Sequence, residues 1–262
     1  MAARHEARQG VSRRTGAEPL TAQAPHRLRR VLFTQRWTDV VFLHWEADPF
    51  EVARLLPAGT VPDLHHGRAY VGLVFFRMED LALGRTPPLP YLGSFDEVNV
   101  RLYSRDALGR RGVVFRSLDC DRLLPVLAAR AGFGLPYRWA RTSRRWYDSR
   151  LLYRTRRRGH PARPGGRVWL DVGREAVPPG PLDAFLTWRW GLHAGFLGRS
   201  YYLPNTHTAW EFRRCSLLGW ETSLVEAAGL GPPLGNPVSV LFSLGASVRF
   251  GTPEVLPAGH HA

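Results

Sequence analysis

The sequence predicts a single domain of the α+β class, built mainly from antiparallel strands that form a curved sheet or barrel with a few short helices. Three observations lead to this prediction. The 262-residue chain is 44% hydrophobic and 11% aromatic, as expected of a packed globule and not of a disordered chain. Short runs rich in Val, Phe and Tyr are separated by turns rich in Gly and Pro. Strands and helices do not alternate regularly, which argues against a doubly wound parallel sheet.

The N-terminal segment, residues 1–30, is expected to be a disordered basic tail. It is poor in large apolar side chains and carries seven arginines against two glutamates. Its alternative role is an anchor for nucleic acid or another polyanion. The globular pattern begins at Val31, and we expect one domain over residues 31–262.

The first elements of this domain have clear local signals. Asp48 and Pro49 predict a helix over residues 50–56, because aspartate caps a helix and proline fits its first turn. A Pro-Ala-Gly sequence ends that helix. A run dense in Val, Phe and Tyr predicts a strand at Ala69–Met78.

The middle of the chain predicts a hairpin. Apolar and polar residues alternate over Glu97–Tyr103, with the period of two that a strand requires. A glycine-containing turn at Arg105–Gly112 leads to a second apolar run, Val113–Leu118, which we expect to pair with the first. Helical spacing then predicts a helix over Asp121–Phe133.

The second half of the chain predicts further strands and one more helix. Strands are expected at Tyr137–Thr155 and Val168–Val172, on either side of an exposed loop rich in Gly, Pro and Arg. The remaining elements are a helix at Leu182–His193 and late strands at Ala209–Leu218, Thr222–Glu226 and Val238–Phe250.

All 36 basic residues are arginine, and the formal net charge is +14. The absence of lysine excludes a side-chain Schiff base, the lysine of a Walker-type phosphate loop and a lysine general base. The excess of positive charge falls in two segments, residues 1–30 and 138–167, and the rest of the chain is nearly neutral.

The compartment is predicted to be cytoplasmic. Two cysteines, Cys120 and Cys215, make no disulfide framework, which favours a reducing setting. No stretch approaches the roughly 18 apolar residues of a membrane span, and the N-terminus lacks the apolar core of a signal peptide. We therefore expect no membrane partner.

The row Glu97, Asn99, Arg101 and Tyr103 is the most informative feature for function. In a strand these four side chains project to one face. A carboxylate, an amide and a guanidinium in that row would line a polar cavity and hold a carboxylate or carbonyl. The alternative is that they form the solvated face of a half-buried strand.

Short motifs then occur in a fixed order along nearly the whole chain. They are Thr34-Gln35-Arg36-Trp37, His44-Trp45-Glu46, Leu55-Leu56-Pro57-Ala58-Gly59, Gly72-Leu73-Val74-Phe75-Phe76-Arg77-Met78, the Glu97–Tyr103 row, Ser117-Leu118-Asp119, Leu135-Pro136-Tyr137, Phe185-Leu186-Thr187-Trp188-Arg189-Trp190 and His207-Thr208-Ala209-Trp210. Together they resemble the YqjF-like family, a widespread bacterial family of unknown function. That family belongs to the acetoacetate-decarboxylase-like superfamily, which implies a mainly β, cone-like barrel around an apolar cavity.

The decarboxylase of that superfamily works through a buried lysine, which this chain does not have. The leading hypothesis is therefore a barrel that binds a small organic anion without Schiff-base chemistry. Arg101 would pair with the carboxylate of the ligand, Glu97 and Asn99 would orient Arg101 or bind a second polar group, and Tyr103 would add a hydroxyl. The family pattern adds four further candidates: His44, Arg150, Arg189 and His207.

An enzymatic reaction is neither required nor excluded by the sequence. If there is one, it would be a lysine-independent lyase or hydrolase with Glu97 or His207 as its acid or base. We expect no cofactor and no metal, because the ten histidines show no ligand spacing. The sequence does not determine the oligomeric state, and a homo-oligomer is one of the alternatives.

The alternative function is binding of nucleic acid or another polyanion through residues 137–167. This segment combines eleven arginines with five aromatic residues, the composition of single-strand nucleic acid binding sites. The competing interpretation places the aromatic side chains on the inner face of paired strands and the arginines outside. The sequence favours the competing interpretation, because no nucleic-acid-binding motif is present.

Overall fold

The computed structural model describes residues 16–91, 93–122 and 134–257. Within these ranges the chain is mostly β-sheet, with three short helices. The strands are β1 (Phe33–Ala47), β2 (Thr60–Pro62), β3 (Ala69–Leu83), β4 (Phe95–Asp106), β5 (Arg111–Cys120), β6 (Tyr137–Tyr147), β7 (Arg150–Arg157), β8 (Gly165–Ala176), β9 (Gly191–Phe196), β10 (Arg199–His207), β11 (Phe212–Thr222), β12 (Ser239–Phe250) and β13 (Glu254–Val255). The helices are α1 (Pro49–Arg54), α2 (Pro181–Thr187) and α3 (Leu224–Ala227).

Nine of these strands close a mixed barrel. The order around it is β5-β6-β7-β8-β11-β12-β1-β3-β4, and β4 returns to β5. All neighbours are antiparallel except β5 and β6, which run parallel. The predicted class, mainly antiparallel strands curved into a cone-like barrel with a few short helices, is confirmed.

Strands β9 and β10 close a second ring on the other side of β12, β1, β3, β4 and β5. Strand β10 pairs with β12 through Asn205 and Phe250, and β9 pairs with β5 through Val113 and Leu192. The shared strands therefore have protein on both faces.

Within the described residues three apolar clusters follow from the two rings, and the third contains Tyr103 and Leu192. On β4, Val98, Val100 and Leu102 belong to the core inside the nine-strand barrel. The opposite face of the shared strands contributes Phe42 and Val74 to a second core. Because both faces of β4 are covered, every residue of the Glu97–Tyr103 row is buried.

Several predicted elements are confirmed. Helix α1 begins after Asp48, whose side chain accepts a hydrogen bond from the Phe50 backbone N–H, and Pro49 occupies its first turn. The predicted hairpin is the β4–β5 pair. The strand predicted at Ala69–Met78 is the first two thirds of β3.

Three predicted elements are wrong in part. Tyr137–Thr155 is a hairpin and not one strand, because Asp148 takes the left-handed conformation (φ 52°) and turns the chain between Tyr147 and Arg150. The helix predicted at Leu182–His193 ends at Thr187, and β9 follows it. The strand predicted at 222–226 is helix α3, which starts where the Thr222 hydroxyl accepts the Leu224 N–H.

Strands β9 and β10 were not predicted. The helix predicted over 121–133 lies outside the described residues from position 123 onward.

Residues 16–30 of the predicted tail lie against the barrel. The Glu18 N–H donates to the Gly109 carbonyl at 2.8 Å, and the Trp190 indole donates to the Thr21 carbonyl at 3.0 Å. His26 contacts the Asn205 carbonyl through a ring nitrogen. This part of the segment is thus attached to the domain, contrary to the expectation of a disordered tail, and the boundary at residue 31 stays a prediction.

Candidate functional site

The polar row of β4 lies inside the ring that β9 and β10 close. Glu97, Asn99, Arg101 and Tyr103 are each at most 6% exposed. The interpretation of this row as a solvated strand face is therefore wrong. A buried row of polar and charged groups is unusual, because each group loses its hydration and needs a partner inside the protein.

Gly72 on β3 lets side chains from the two flanking strands, β1 and β4, come together. His44 on β1 and Arg101 on β4 both lie opposite Gly72 on the intervening strand β3. A Cβ atom on Gly72 would lie 2.9 Å from the Tyr103 hydroxyl, 3.1 Å from the His44 ring and 3.3 Å from the Arg101 side chain. The missing side chain leaves the space in which His44, Arg101 and Tyr103 converge.

Arg101 is a buried cation without a counterion among the described acidic residues. Its Nε and Nη2 atoms are buried and have no hydrogen-bond partner. The guanidinium lies 5.2 Å from the Phe42 ring centroid and 5.8 Å from that of Tyr103. Aromatic faces stabilise a cation weakly and do not satisfy the N–H donors on Nε and Nη2.

His44 is held as a neutral ring beside Arg101. Its Nε2 atom lies 2.8 Å from the Tyr103 hydroxyl, and its Nδ1 atom is buried without a partner. Burial, followed by the positive charges of Arg101 and Arg189, holds the pKa of His44 well below its usual value. The ring therefore adds no further positive charge to this interior.

Glu97 is a buried carboxyl at the other end of the row. It accepts a hydrogen bond of 2.9 Å from the Tyr137 hydroxyl. Burial raises the pKa of Glu97 to about 8, although hydrogen bonds from Tyr137 and Asn99 act in the opposite direction. Glu97 is thus mostly protonated at neutral pH. The neighbouring Asn99 keeps its Oδ1 atom buried and without a partner.

His207 lies half-buried at the end of β10. Its ring stacks on Trp190 at 4.2 Å, and its Nδ1–H donates to the Thr208 carbonyl at 2.7 Å. Nε2 of the neutral ring is therefore the acceptor. Burial, assisted by the charge of Arg101, lowers the pKa of His207 to about 4.

Arg189 is part of the same interior but already has a partner. It pairs with Asp63, donates from Nε to the Phe185 carbonyl at 2.8 Å and lies 4.9 Å from the Tyr103 ring centroid. Asp63 is also paired with Arg111. Two arginines thus share one carboxylate, and this side of the ring keeps an excess of positive charge.

Arg150 lies elsewhere. It is exposed at the start of β7 and lines a cleft on the outer face of the barrel. The structure therefore brings together seven of the eight predicted site residues and leaves Arg150 apart, because β7 belongs only to the nine-strand barrel.

Three residues of the site were missed by the sequence reasoning. Gly72 and Tyr137 stand inside motifs that carry the family resemblance, so their positions were a usable signal. Asp63 has no local signal, since its partners Arg111 and Arg189 are far away in the sequence.

A serine, a histidine and an aspartate also meet at the end of β4. Ser104 Oγ lies 2.8 Å from His193 Nδ1, and His193 Nε2 lies 3.7 Å from Asp106. Ser104 is completely buried, and this group connects β4 to β9. Within the described ranges no cluster of three or more His, Cys, Asp or Glu is arranged to hold a metal ion.

A match to a protein-family model identifies the family of this chain. Residues 34–247 match the DUF2071 family, which is described as an uncharacterized conserved protein. This chain belongs to the DUF2071 family. A curated DUF2071 relative, the uncharacterized protein YqjF of Bacillus subtilis (strain 168), is 26% identical over 208 residues, which are 79% of this chain and 86% of that protein. The predicted resemblance to the YqjF-like family is confirmed.

Solved structures show that this DUF2071 protein has the acetoacetate-decarboxylase-like fold. An acetoacetate decarboxylase-like enzyme from Sphingomonas wittichii RW1 superposes with a TM-score of 0.60 at 14% identity, covering 90% of this chain and 97% of that one. Acetoacetate decarboxylase from Legionella pneumophila has a TM-score of 0.59 at 16% identity, covering 97% and 98%. The enduracididine biosynthesis enzyme MppR, solved in complex with pyruvate, has a TM-score of 0.58 at 15% identity, covering 89% and 93%.

No helix in the described part of this DUF2071 chain is long and apolar enough to cross a membrane. Cys120 and Cys215 are both free thiols. Burial raises the pKa of Cys215 to about 11 and that of Cys120 further still. Neither thiol is therefore a nucleophile at neutral pH.

Proposed function

We propose that this DUF2071 protein binds a small organic anion inside the ring closed by β9 and β10, with Arg101 pairing with the carboxylate of the ligand. The observation that carries the proposal is the buried guanidinium of Arg101, which has two unpartnered nitrogen atoms and no carboxylate partner among the described residues. A buried charge without a partner destabilises the folded protein by several kcal/mol unless a ligand of opposite charge neutralises it.

The surroundings favour an anion over a neutral ligand. Arg189 and Arg111 both pair with Asp63, and His44 is uncharged. Among the described residues, the side chains around Arg101 therefore carry more positive than negative charge. Asn99 Oδ1 and His44 Nδ1 provide further polar atoms for a second oxygen or hydroxyl of the ligand.

Pyruvate is the first ligand to test. MppR, which shares the fold, is recorded in complex with pyruvate, and pyruvate presents the carboxylate that the Arg101 guanidinium can bind with two parallel hydrogen bonds. Other short 2-oxo and 3-oxo acids have the same carboxylate and extend the set of probes. We place this binding in the cytoplasm, consistent with two free cysteines.

A reaction at this site would use Glu97 and His207 as its proton donor and acceptor. Glu97 is mostly protonated and His207 neutral at pH 7, because their pKa values lie at about 8 and about 4. Opposite shifts of this kind separate the roles of an acid and a base. Schiff-base decarboxylation is excluded, since the chain has no lysine.

The proposal is tested by thermal unfolding with pyruvate and related acids, for the wild type and for Arg101→Met. A ligand at one hundred times its Kd stabilises by about 2.7 kcal/mol, which for a chain of this size raises Tm by roughly 5–10 °C. Arg101→Met should lose this shift. Without ligand it should have an equal or higher Tm than the wild type, because the buried unpaired charge is gone.

Arg105→Met is the matched control. Arg105 lies on the same strand but is exposed, so this variant should keep the full ligand shift. A shift that survives in Arg101→Met, or an Arg101→Met protein that is several degrees less stable without ligand, would contradict the proposal.

A further inference from the structure

The outer face of β6, β7 and β8 carries a regular array of arginine side chains. Every second residue of each strand points to this face. Across the three strands the rows are Arg141, Arg156 and Gly165; Ser143, Arg154 and Arg167; Arg145, Leu152 and Trp169; and Tyr147, Arg150 and Asp171. We call this surface the outer arginine face.

Like charges lie directly opposite each other in two of these rows. Arg141 faces Arg156, and Arg154 faces Arg167. Directly opposed like charges destabilise a sheet by up to a fraction of a kcal/mol per pair, whereas opposed unlike charges stabilise it. Neither of these two rows contains an acidic residue, whereas in the fourth row Asp171 lies opposite Arg150.

Acidic partners are scarce on this face. Some arginines elsewhere on the strands do have carboxylate partners: Arg36 pairs with Glu79, Arg144 with Asp39 and Arg214 with Glu175. On the outer arginine face Arg167 alone has a recorded carboxylate partner within the described residues, an exposed pair with Glu221.

The face is concave. Two adjoining clefts of about 880 Å³ each lie on it. They share Tyr147, Leu152, Arg154 and Arg167, and together they extend across all three strands. The shape is therefore an elongated groove and not a closed pocket, which suits a chain-like ligand better than a small molecule.

Aromatic rings lie among the arginines. Tyr147 is 50% and Trp169 41% exposed, and Trp169 lies opposite Leu152 in the register. Exposed aromatic faces beside guanidinium groups are the platforms on which unpaired bases stack. By contrast Tyr153, which also belongs to β7, is buried in the barrel core, so the segment divides between a core face and this groove.

From these observations we infer that the outer arginine face binds single-stranded nucleic acid, with arginines contacting the phosphates and with Trp169 and Tyr147 stacking on the bases. The phosphates supply the charge that the protein omits from this face. The aromatic rings favour single strands over inorganic polyphosphate, which has no bases. The groove is separate from Arg101, and this inference stands independently of organic-anion binding in the ring.

The experiment measures fluorescence anisotropy of a labelled 20-nucleotide single strand with the full-length protein at several salt concentrations. The logarithm of the association constant should fall with the logarithm of salt with a slope of about −3, since each of four to five contacted phosphates contributes about −0.7. The double variant Arg154→Gln/Arg156→Gln should halve this slope approximately. Trp169→Ala should raise the Kd for the oligonucleotide by about tenfold, with unchanged affinity for polyphosphate.

Arg199→Gln is the matched control, because it removes one exposed arginine from β10, far from the groove in the strand order. It should bind the oligonucleotide like the wild type. The inference is overturned if Arg199→Gln weakens binding as much as the groove variant does. It is equally overturned if Trp169→Ala has no effect, or if no salt-dependent binding occurs. The Tm of each variant, measured without nucleic acid, identifies any that fails to fold.

Discussion

Glu97 and Arg101 lie on one face of one strand, yet burial affects their charges differently. A carboxyl can give up its charge by binding a proton, and the pKa of Glu97, raised to about 8, shows that it does so. A guanidinium stays protonated at any physiological pH and cannot escape in this way. At the residue scale, burial therefore neutralises Glu97, whereas Arg101 stays charged and, in the proposed function, is neutralised by the bound anion.

Glu97→Gln tests the protonation of Glu97 through the pH dependence of stability. Between about pH 4.5 and pH 8 the folded state keeps a proton on Glu97 that the unfolded state loses. Wild-type stability should therefore fall as pH rises through this window, by at most roughly 1.4 kcal/mol per pH unit from this group. Glutamine imitates the neutral form, so Glu97→Gln should lack this contribution. The Tm of Glu97→Gln relative to that of the wild type should therefore increase from pH 5 to pH 8.

Glu211→Gln provides the comparison, because Glu211 is an exposed glutamate. Its Tm should follow the wild type at every pH. A constant Tm difference between Glu97→Gln and the wild type from pH 5 to pH 8 would show that Glu97 is ionised throughout.

At the scale of elements, the site depends on how close three neighbouring strands allow their side chains to come. His44 and Arg101 lie on either side of β3, and Gly72 is the β3 residue between them. Glycine weakens a strand because it adds flexibility and no packing. Its presence here is explained by the close approach of Tyr103 and His44 over its Cα atom.

Gly72→Ala should disrupt the site without unfolding the barrel. The new methyl group would lie 2.9 Å from the Tyr103 hydroxyl, so Tyr103 must move and its hydrogen bond to His44 should lengthen. We expect the Kd for the organic anion to rise by about tenfold, the loss of one hydrogen bond of about 1.4 kcal/mol. Isothermal titration of the variant with the ligand found for the wild type measures this change.

Gly219→Ala on β11 is the matched substitution, since a Cβ atom there meets no other atom within 4 Å. It should keep wild-type affinity. If Gly72→Ala also binds normally, then the convergence over Gly72 plays no part in recognition.

For the whole molecule, the closure of the barrel at its parallel junction is reinforced by a buried ion pair. Arg157 on β7 donates two hydrogen bonds, of 2.7 and 3.0 Å, to Asp119 on β5. Strand β6 lies between them in the sheet order. The pair thus connects strands on both sides of the junction where β5 and β6 run parallel.

Arg157→Met should lower the free energy of unfolding by about 3–5 kcal/mol, because Asp119 is left buried and unpaired. The double variant Arg157→Met/Asp119→Asn should recover part of that loss, since the uncompensated charge is removed. Urea unfolding of Arg157→Met, Asp119→Asn and the double variant gives the free energy of unfolding of each. Strict additivity would mean that the two side chains do not interact in the folded protein.

The sequence alone supported much of the fold because its signals are local. The cap of α1 is formed by residues next to the helix, and the period of two in Glu97–Tyr103 is a property of the strand itself. The turn at Asp148 was missed, since a single left-handed residue inside an otherwise strand-like segment leaves little trace. Strand β9 was missed for another reason: its first residues, Gly191–His193, lie within the predicted helix Leu182–His193.

The sequence by itself determined three features: the absence of lysine, the alternation of apolar and polar residues in β4, and the order of the family motifs. Each is a property of residue identity or of neighbouring positions. Whether the polar row of β4 faces water or the interior was decided only by tertiary structure, because β9 and β10 must close a ring over it from distant parts of the chain. Long-range contacts also pair Arg189 with Asp63 and leave Arg101 without a carboxylate partner among the described residues. A strand pattern repeats along one segment, whereas burial and charge balance depend on which other segments fold against it.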